Sequence, residues 1–255
     1  MMSIFTIPTS DFKKLIKVFN RRIGLFIIFV FILFFDSNYF VEHIYNSQIP
    51  INILMIFGFL VMFWRANPRT KKLMIYAVII GFGGEYLFSR VLGMYSYRLE
   101  NVPLYVPLGH AALYGRIFMF SKAPIVRKYN NNIECFFRIV IALFATIYLF
   151  LFNDVFGFIM TFCVFILLWK RPKDRLFFYS MYILVAILEI GGTAFGCWYW
   201  PTSAYGVFDF LPSNNPPSGI SLFYFLLDIG CFVVYTQFNS KTWKRFKNIK
   251  NLQHP

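Results

Sequence analysis

Three carboxylates lie inside apolar stretches of this sequence, where a charged side chain needs a special reason to be present. They are Glu85, Glu189 and Asp228. A charge inside a membrane helix costs about 2.5–3.5 kcal/mol on insertion scales unless it is protonated or paired. A buried carboxyl group that keeps its proton can act as a general acid, as a proton relay or as an interhelical hydrogen-bond donor. We therefore predict that these three residues are catalytic.

The two glutamates each begin a copy of one sequence pattern. A glycine follows each glutamate, aromatic residues lie two and four positions after that glycine, and a tyrosine lies seven positions after a proline. The first copy has Glu85, Gly93, Tyr95, Tyr97, Pro107 and Tyr114, and the second has Glu189, Gly196, Trp198, Trp200, Pro217 and Tyr224. Corresponding residues of a parallel repeat lie at equal depth. We expect the glutamates to face each other across a pseudo-twofold axis.

The remaining polar residues of these segments break the pattern. His110 and Arg116 align with Ile220 and Leu226 of the second copy. Because a lone guanidinium in hydrocarbon is very unfavourable, Arg116 is predicted to pair with a carboxylate, whereas Arg98, in an outer loop, is expected to be solvated. The predicted substrate-binding residues are Tyr95, Tyr97, His110, Tyr114, Arg116, Trp198, Trp200, Asn215 and Tyr224. The aromatic residues taken alone are equally typical of an interfacial belt.

Apolar helices must position these side chains. The chain is 58% hydrophobic and only 14% charged, with a mean hydropathy of +0.60, so it has too few charges to cover a soluble surface. The fold is predicted to be an all-α, polytopic transmembrane bundle of eight spans, arranged as two parallel four-helix repeats, with seven spans as the alternative. The predicted spans lie near 22–41, 50–65, 73–92, 104–121, 135–152, 155–169, 176–195 and 217–238.

The basic residues fall in short loops on one side of this topology. This asymmetry places both termini in the cytoplasm by the positive-inside rule. The short loops suit a multi-pass protein of a bacterial inner membrane, with a eukaryotic endomembrane as the alternative. The predicted organisation is a basic N-terminal segment (1–21), a first repeat (22–128), a second repeat (129–240) and a basic tail (241–255).

The basic excess, 25 Lys and Arg against 11 Asp and Glu, is assigned to topology and contact with membrane lipids. No basic domain stands apart from the spans, so a nucleic-acid partner is not expected. Cysteines and histidines are dispersed, which argues against a metal site. No cofactor is predicted, and the oligomeric state is left open.

One stretch is similar to a known family. Gly93, Tyr95 and Tyr97, followed by the segment from Val102 to Leu108, resemble the Gly-x-Tyr-x-Tyr and Val-Pro-x-x-x-Pro-Leu segments of membrane carotenoid-biosynthesis hydratases of the bisanhydrobacterioruberin hydratase type. The hydratase resemblance covers residues 85–114, with a degenerate counterpart at 189–224. It implies that Glu85 or Glu189 protonates a carbon–carbon double bond of a lipophilic substrate. The chain also resembles, more loosely, small integral-membrane terpene cyclases.

Three functions follow from these observations. The first is a membrane enzyme that acts on an isoprenoid or other lipid by general acid/base chemistry, such as a hydratase, cyclase or isomerase. The second is a proton-linked transporter, which the parallel repeat and the intramembrane acids would suit. The third is a non-catalytic binding or scaffold protein, in which the buried polar residues fix helix register.

Overall fold

The computed structural model describes residues 7–240, and the predicted basic tail 241–255 lies outside this range. The described chain is mostly helical, as predicted. Its helices are α1 (Thr9–Ile32), α2 (Asn38–His43), α3 (Gln48–Trp64), α4 (Pro68–Tyr86), α5 (Tyr105–Ser121), α6 (Pro124–Lys128), α7 (Asn130–Phe152), α8 (Val155–Trp169), α9 (Arg175–Ala194) and α10 (Ser221–Phe238). A 3₁₀ turn (Leu33–Asp36) follows α1, and a π-helical turn (Leu87–Val91) follows α4.

A helix lies at each predicted span, but these helices differ in their capacity to cross a membrane. Four are long and apolar enough to do so: Pro68–Val91, Asn130–Phe152, Arg175–Ala194 and Ser221–Phe238. A fifth candidate arises if the bent pair Thr9–Gly24 and Phe26–Asp36 forms one span, while α3 and α8 are apolar but shorter.

The predicted boundaries of the first span, 22–41, are wrong. The helix already starts at Thr9, and the chain breaks after Asp36, where Ser37 is extended and its side chain accepts a hydrogen bond from the Phe40 backbone N–H. This serine therefore begins a separate short helix, α2, by capping its N-terminus. The basic residues that the structure describes in the predicted segment 1–21 lie in this helix.

Local sequence signals explain two of the sharpest boundaries. Asn67 caps α4 by accepting a hydrogen bond from Thr70 N–H at 2.9 Å, and Pro68 supplies the first helical residue, where no amide donor is needed. The tight turn between α7 and α8 uses Asn153 in the left-handed conformation, followed by Asp154 as the N-cap of α8. Asparagine and aspartate tolerate such turns because their side chains bond locally to the backbone.

Short strands connect the helices, which the all-α prediction does not include. Strand β1 (Ser96–Tyr97) pairs antiparallel with β2 (Trp198–Tyr199), and β3 (Ser203–Ala204) pairs with β4 (Phe208–Pro212). Helix α5 packs against α1, α3, α4 and α9, and α10 packs against α4. The centre of the molecule therefore lies between α4, α5, α9 and α10, and the β1–β2 pair closes it at one end.

Candidate functional site

Two turns with left-handed glycines present the predicted aromatic residues to the centre of the molecule. Gly93 follows the π-helical turn after α4 with φ +60°, and Gly196 follows α9 with φ +71°. A side chain is strained at these values, so glycine is required for each chain reversal. Each turn then leads into a strand that returns its two aromatic side chains towards the glutamate of the preceding helix.

Glu85 accepts hydrogen bonds from both tyrosines of its own turn. The Tyr95 and Tyr97 hydroxyls donate to the same carboxylate oxygen, Oε2, the latter at 2.6 Å, and Glu85 is 2% exposed. Burial raises the pKa of each tyrosine well above its usual range, and the Glu85 charge raises it further. Both phenols therefore remain neutral donors at physiological pH.

Glu189 is held in the same way by the second turn. The indole N–H groups of Trp198 and Trp200 donate to its Oε2 at 2.8 and 3.0 Å. A third donor, the Tyr224 hydroxyl, reaches Oε1 at 2.8 Å from α10. The carboxylate is 2% exposed, so these three bonds replace the water that burial removes.

The two turns also contact each other. In the β1–β2 pair, Tyr97 lies opposite Trp198, and their ring centroids are 6.1 Å apart. Tyr95 and Trp200 stack with centroids at 4.3 Å. The aromatic residue two positions after the glycine of one turn thus meets the residue four positions after the glycine of the other, in both directions. An isologous contact has this reciprocal pattern. The turns bring both glutamates and four predicted substrate-binding aromatics into one cluster.

The segments that carry Glu85 and Glu189 share a second feature, which was not predicted from the sequence. The Ser89 hydroxyl donates to the Glu85 carbonyl at 2.6 Å, and the Thr193 hydroxyl donates to the Glu189 carbonyl at 2.8 Å. Each hydroxyl lies four residues after its glutamate. The signal was present in the sequence as Ser and Thr at equivalent spacing, but this i to i−4 bond is frequent in apolar helices and does not itself identify a site.

His110 and Asp228 form a separate buried polar pair. His110 Nε2 lies 3.1 Å from Asp228 Oδ1, and the two residues are 5% and 1% exposed. This contact lies within ion-pair distance but lacks hydrogen-bond geometry, and the side-chain polar atoms of both residues have no hydrogen-bond partner within residues 7–240. The His110 ring packs 5.3 Å from the Tyr224 ring. His110 therefore contacts both Asp228 and the ring of Tyr224, whose hydroxyl binds Glu189.

The prediction that Arg116 pairs with a carboxylate is wrong. Its Nε donates to the Arg22 carbonyl at 2.7 Å, and its Nη2 donates to the Arg21 carbonyl at 2.8 Å. Arg116 is partly exposed, and two backbone carbonyls of α1 accept hydrogen bonds from its guanidinium in place of a carboxylate. Arg116 is therefore not part of the glutamate cluster.

Arg116 instead borders an apolar groove of about 310 Å³ between α1, α3 and α5. Aliphatic and aromatic side chains of these helices form its walls, with Arg22 beside Arg116. Phe29 and Gly109 line both this groove and a cavity of about 20 Å³ that contains Glu189, Trp198 and Tyr224 in its wall. The smaller cavity has room for one water molecule. Glu85 lines a different space of only about 10 Å³.

The other predicted site residues have supporting positions. Asn215 accepts a hydrogen bond from the Trp200 backbone N–H at 2.9 Å and so fixes the second turn, without contacting Glu189. Tyr114 packs against Phe177 with ring centroids at 5.2 Å and lines a third cavity, together with Asp228. Tyr114 and its sequence counterpart Tyr224 therefore have different roles.

The expectation that Arg98 is solvated is also wrong, because Arg98 forms an ion pair with the buried carboxylate of Asp36. Asp36 was not predicted as a site residue. Asp36 is 1% exposed, and its Oδ1 lies 2.5 Å from Arg98 Nη2. Its other oxygen accepts from the Tyr105 hydroxyl at 2.6 Å. Asp36 ends the first apolar stretch and looks like an ordinary flanking charge, so no local pattern predicts this contact.

Comparison of this chain with known protein families, with curated proteins and with solved structures finds no match.

Proposed function

We propose that this chain is a multi-pass membrane enzyme that acts on an isoprenoid or other lipid by carboxylate acid/base chemistry at Glu189. The observation that carries the proposal is the common wall of Phe29 and Gly109, which separates the apolar groove from the cavity of Glu189. An apolar substrate chain would lie in the groove, with its reacting end directed past Phe29 towards the carboxyl group. Apolar walls with a few convergent polar groups are typical of sites for lipophilic ligands.

The hydrogen bonds favour one oxygen of Glu189 as the proton carrier. Indole N–H groups can only donate, so Oε2, which accepts from Trp198 and Trp200, stays an acceptor. The Tyr224 hydroxyl can either donate or accept. A proton on Oε1 is therefore compatible with the site if Tyr224 turns its own hydrogen away, whereas a proton on Oε2 is not.

In the proposed reaction, Oε1 delivers its proton to one carbon of a substrate double bond. The other carbon becomes a cation, which the faces of the surrounding Trp and Tyr rings stabilise. For a hydration, a water molecule held in the 20 Å³ cavity would add to this cation and lose a proton to Oε1, which restores the acid. The products are one new C–H bond and one new C–OH bond, as the resemblance to carotenoid hydratases implies.

The proposed enzyme has eight spans in two parallel repeats. Two observations support this arrangement: a helix lies at each predicted span, and in each turn the residues two and four positions after the glycine bind the glutamate. Helices α3, α5 and α8, of 17, 17 and 15 residues, would cross only a thin or locally deformed bilayer. Cytoplasmic termini and a bacterial membrane remain parts of the proposal.

The test is a lipid comparison in a host that makes an acyclic carotenoid as probe substrate. Cells that produce the full chain should contain a lipophilic product that is absent with Glu189→Gln, while both proteins accumulate in the membrane. Asp209→Asn, an exposed carboxylate, is the matched control and should keep the product. Equal product with Glu189→Gln and the unaltered chain would refute the acid role.

A scaffold role is the second candidate, and the hydrogen bonds of the two glutamates favour it. Aromatic donors from each turn bind Oε2 of the glutamate that precedes it, which is also how a purely structural clamp would be built. In that case Glu189→Gln would lower thermal stability without changing any lipid. The ratio of lipid product to folded protein distinguishes the two roles.

A further inference from the structure

The third cavity combines an unusual excess of cations with aromatic walls. It measures about 690 Å³ and is formed by the start of α4, the α5–α6 region, the α8–α9 connection and α10. Its described lining includes five cationic side chains and two carboxylates. The cations are Arg69, Lys122, Arg127, Arg171 and Lys173, and the carboxylates are Asp174 and Asp228. We call this cavity the basic recess.

Two cations of the basic recess share one aromatic ring. Arg69 and Lys122 both lie over the ring of Phe118, with the guanidinium carbon at 5.3 Å and the ammonium nitrogen at 5.5 Å from its centroid. Within residues 7–240, no ion pair joins Arg127, Arg171 or Lys173 to a carboxylate. Like charges that line one cavity repel one another, so an anion in the recess would relieve part of this repulsion.

Of the two carboxylates, only Asp174 is exposed, so it offsets one of the positive charges at the mouth of the recess. Asp228 is 1% exposed and contacts His110, whereas Lys122, Arg127 and Lys173 are exposed. The rings of Phe118, Phe177 and Phe232 also line the recess and are partly buried. The recess is therefore cationic at its mouth and apolar along its wall, which suits an amphiphilic anion.

We propose that the basic recess binds a phosphate group, with the adjoining apolar part of the ligand against the phenylalanine rings. Phosphate matches the site because its several oxygens can accept hydrogen bonds from guanidinium and ammonium groups that converge from different segments. This site is separate from the Glu189 cavity and does not depend on the proposed reaction. The phosphate belongs either to a membrane lipid or to a soluble compound.

The test compares two variants of the full chain that lose equal charge. R127Q/R171Q/K173Q removes three cations from the recess, and K13Q/K17Q/R21Q removes three from exposed positions of α1 that do not line it. Each protein is placed in nanodiscs of phosphatidylcholine with a small fraction of fluorescent phosphatidylglycerol, and lipid binding is titrated. Inorganic pyrophosphate is titrated separately with protein in uncharged detergent.

The recess variant should lose at least about tenfold in affinity for one of the two probes, whereas the α1 variant should lose less than about threefold. Loss for phosphatidylglycerol assigns the phosphate to a lipid headgroup, and loss for pyrophosphate assigns it to a soluble ligand. Equal losses in the two variants would show that only general basic charge matters and would overturn the proposal. Retention of both affinities in the recess variant, or no measurable binding of either probe by the unaltered chain, would also overturn it.

Discussion

Replacing Asp36 by asparagine should strongly destabilise the protein, because it removes one partner of a buried ion pair. The Arg98 side chain is 9% exposed and Asp36 is 1% exposed, so water cannot take the place of the lost charge. Breaking a buried pair in this way costs about 3–5 kcal/mol. The remaining amide oxygen can still accept from Arg98 or from Tyr105, but not with the strength of a carboxylate.

The expected change is large enough to measure in detergent. At about 2–4 °C per kcal/mol for a chain of this size, Asp36→Asn should lower the apparent melting temperature by roughly 6–20 °C. Tryptophan fluorescence is a suitable signal, since Trp198 belongs to the strand that pairs with β1, immediately before Arg98. Glu100→Gln, an exposed carboxylate of the same loop, is the matched control and should change it by less than about 2 °C.

A double substitution separates the charge effect from general damage. Asp36→Asn combined with Arg98→Met removes both charges and keeps a long apolar side chain, so it should be more stable than Asp36→Asn alone. The reasoning would be refuted if Asp36→Asn melted within 2 °C of the Glu100→Gln control. It would also be refuted if the double variant were no more stable than the single one, because Arg98 would then not be the group left unpaired.

Three further predictions test other contacts. Gly219→Ala should destabilise the protein by about 1–3 kcal/mol or prevent folding, because the new Cβ would lie 2.2 Å from the Gly157 carbonyl oxygen. The control, Gly58→Ala, has open space around its Cβ and should leave thermal melts unchanged. Asp154→Ala should lower the free energy of unfolding by about 2–6 kcal/mol, because this fully buried carboxylate accepts hydrogen bonds from the Gly157, Asn214 and Ser218 backbone N–H groups. Thermal melts measure the change, and a loss below about 1 kcal/mol would contradict the prediction. Stability should fall above about pH 10, because burial raises the pKa of Tyr97 in the folded state, so the unfolded chain loses that proton first. In melts from pH 8 to 12, Tyr97→Phe should reduce this decline by up to about 1.4 kcal/mol per pH unit, and an unchanged slope would count against it.

Much of the fold was predictable because hydrophobic runs and their breakers are local signals. A helix lies at each expected position, and the repeated glycine and aromatic spacing identified the two turns and the glutamates that they bind. The spacing of these residues does not predict the register in which the two turns pair. Pairing of Tyr97 with Trp198 depends on how distant helices pack, which no local pattern encodes.

The partners of the buried charges were the least predictable feature. Arg116 was expected to need a carboxylate, but a long guanidinium can reach backbone carbonyls at a helix break, and it does so at Arg21 and Arg22. Asp36 and Arg98 looked like solvated flanking residues because both border apolar runs. Their burial depends on the covering of that end of the bundle by the β1–β2 pair, which is a tertiary effect.

The contact between the two turns has a consequence for how the chain is made. Strands β1 and β2 are separated by about a hundred residues, so the ribosome must synthesise four intervening helices longer than ten residues before they can meet. Until then, Tyr95 lacks the Trp200 ring on which it stacks in the finished protein. Closure of the bundle is therefore a late event of biogenesis, and a chain stopped after α9 would be released with its central contact unmade.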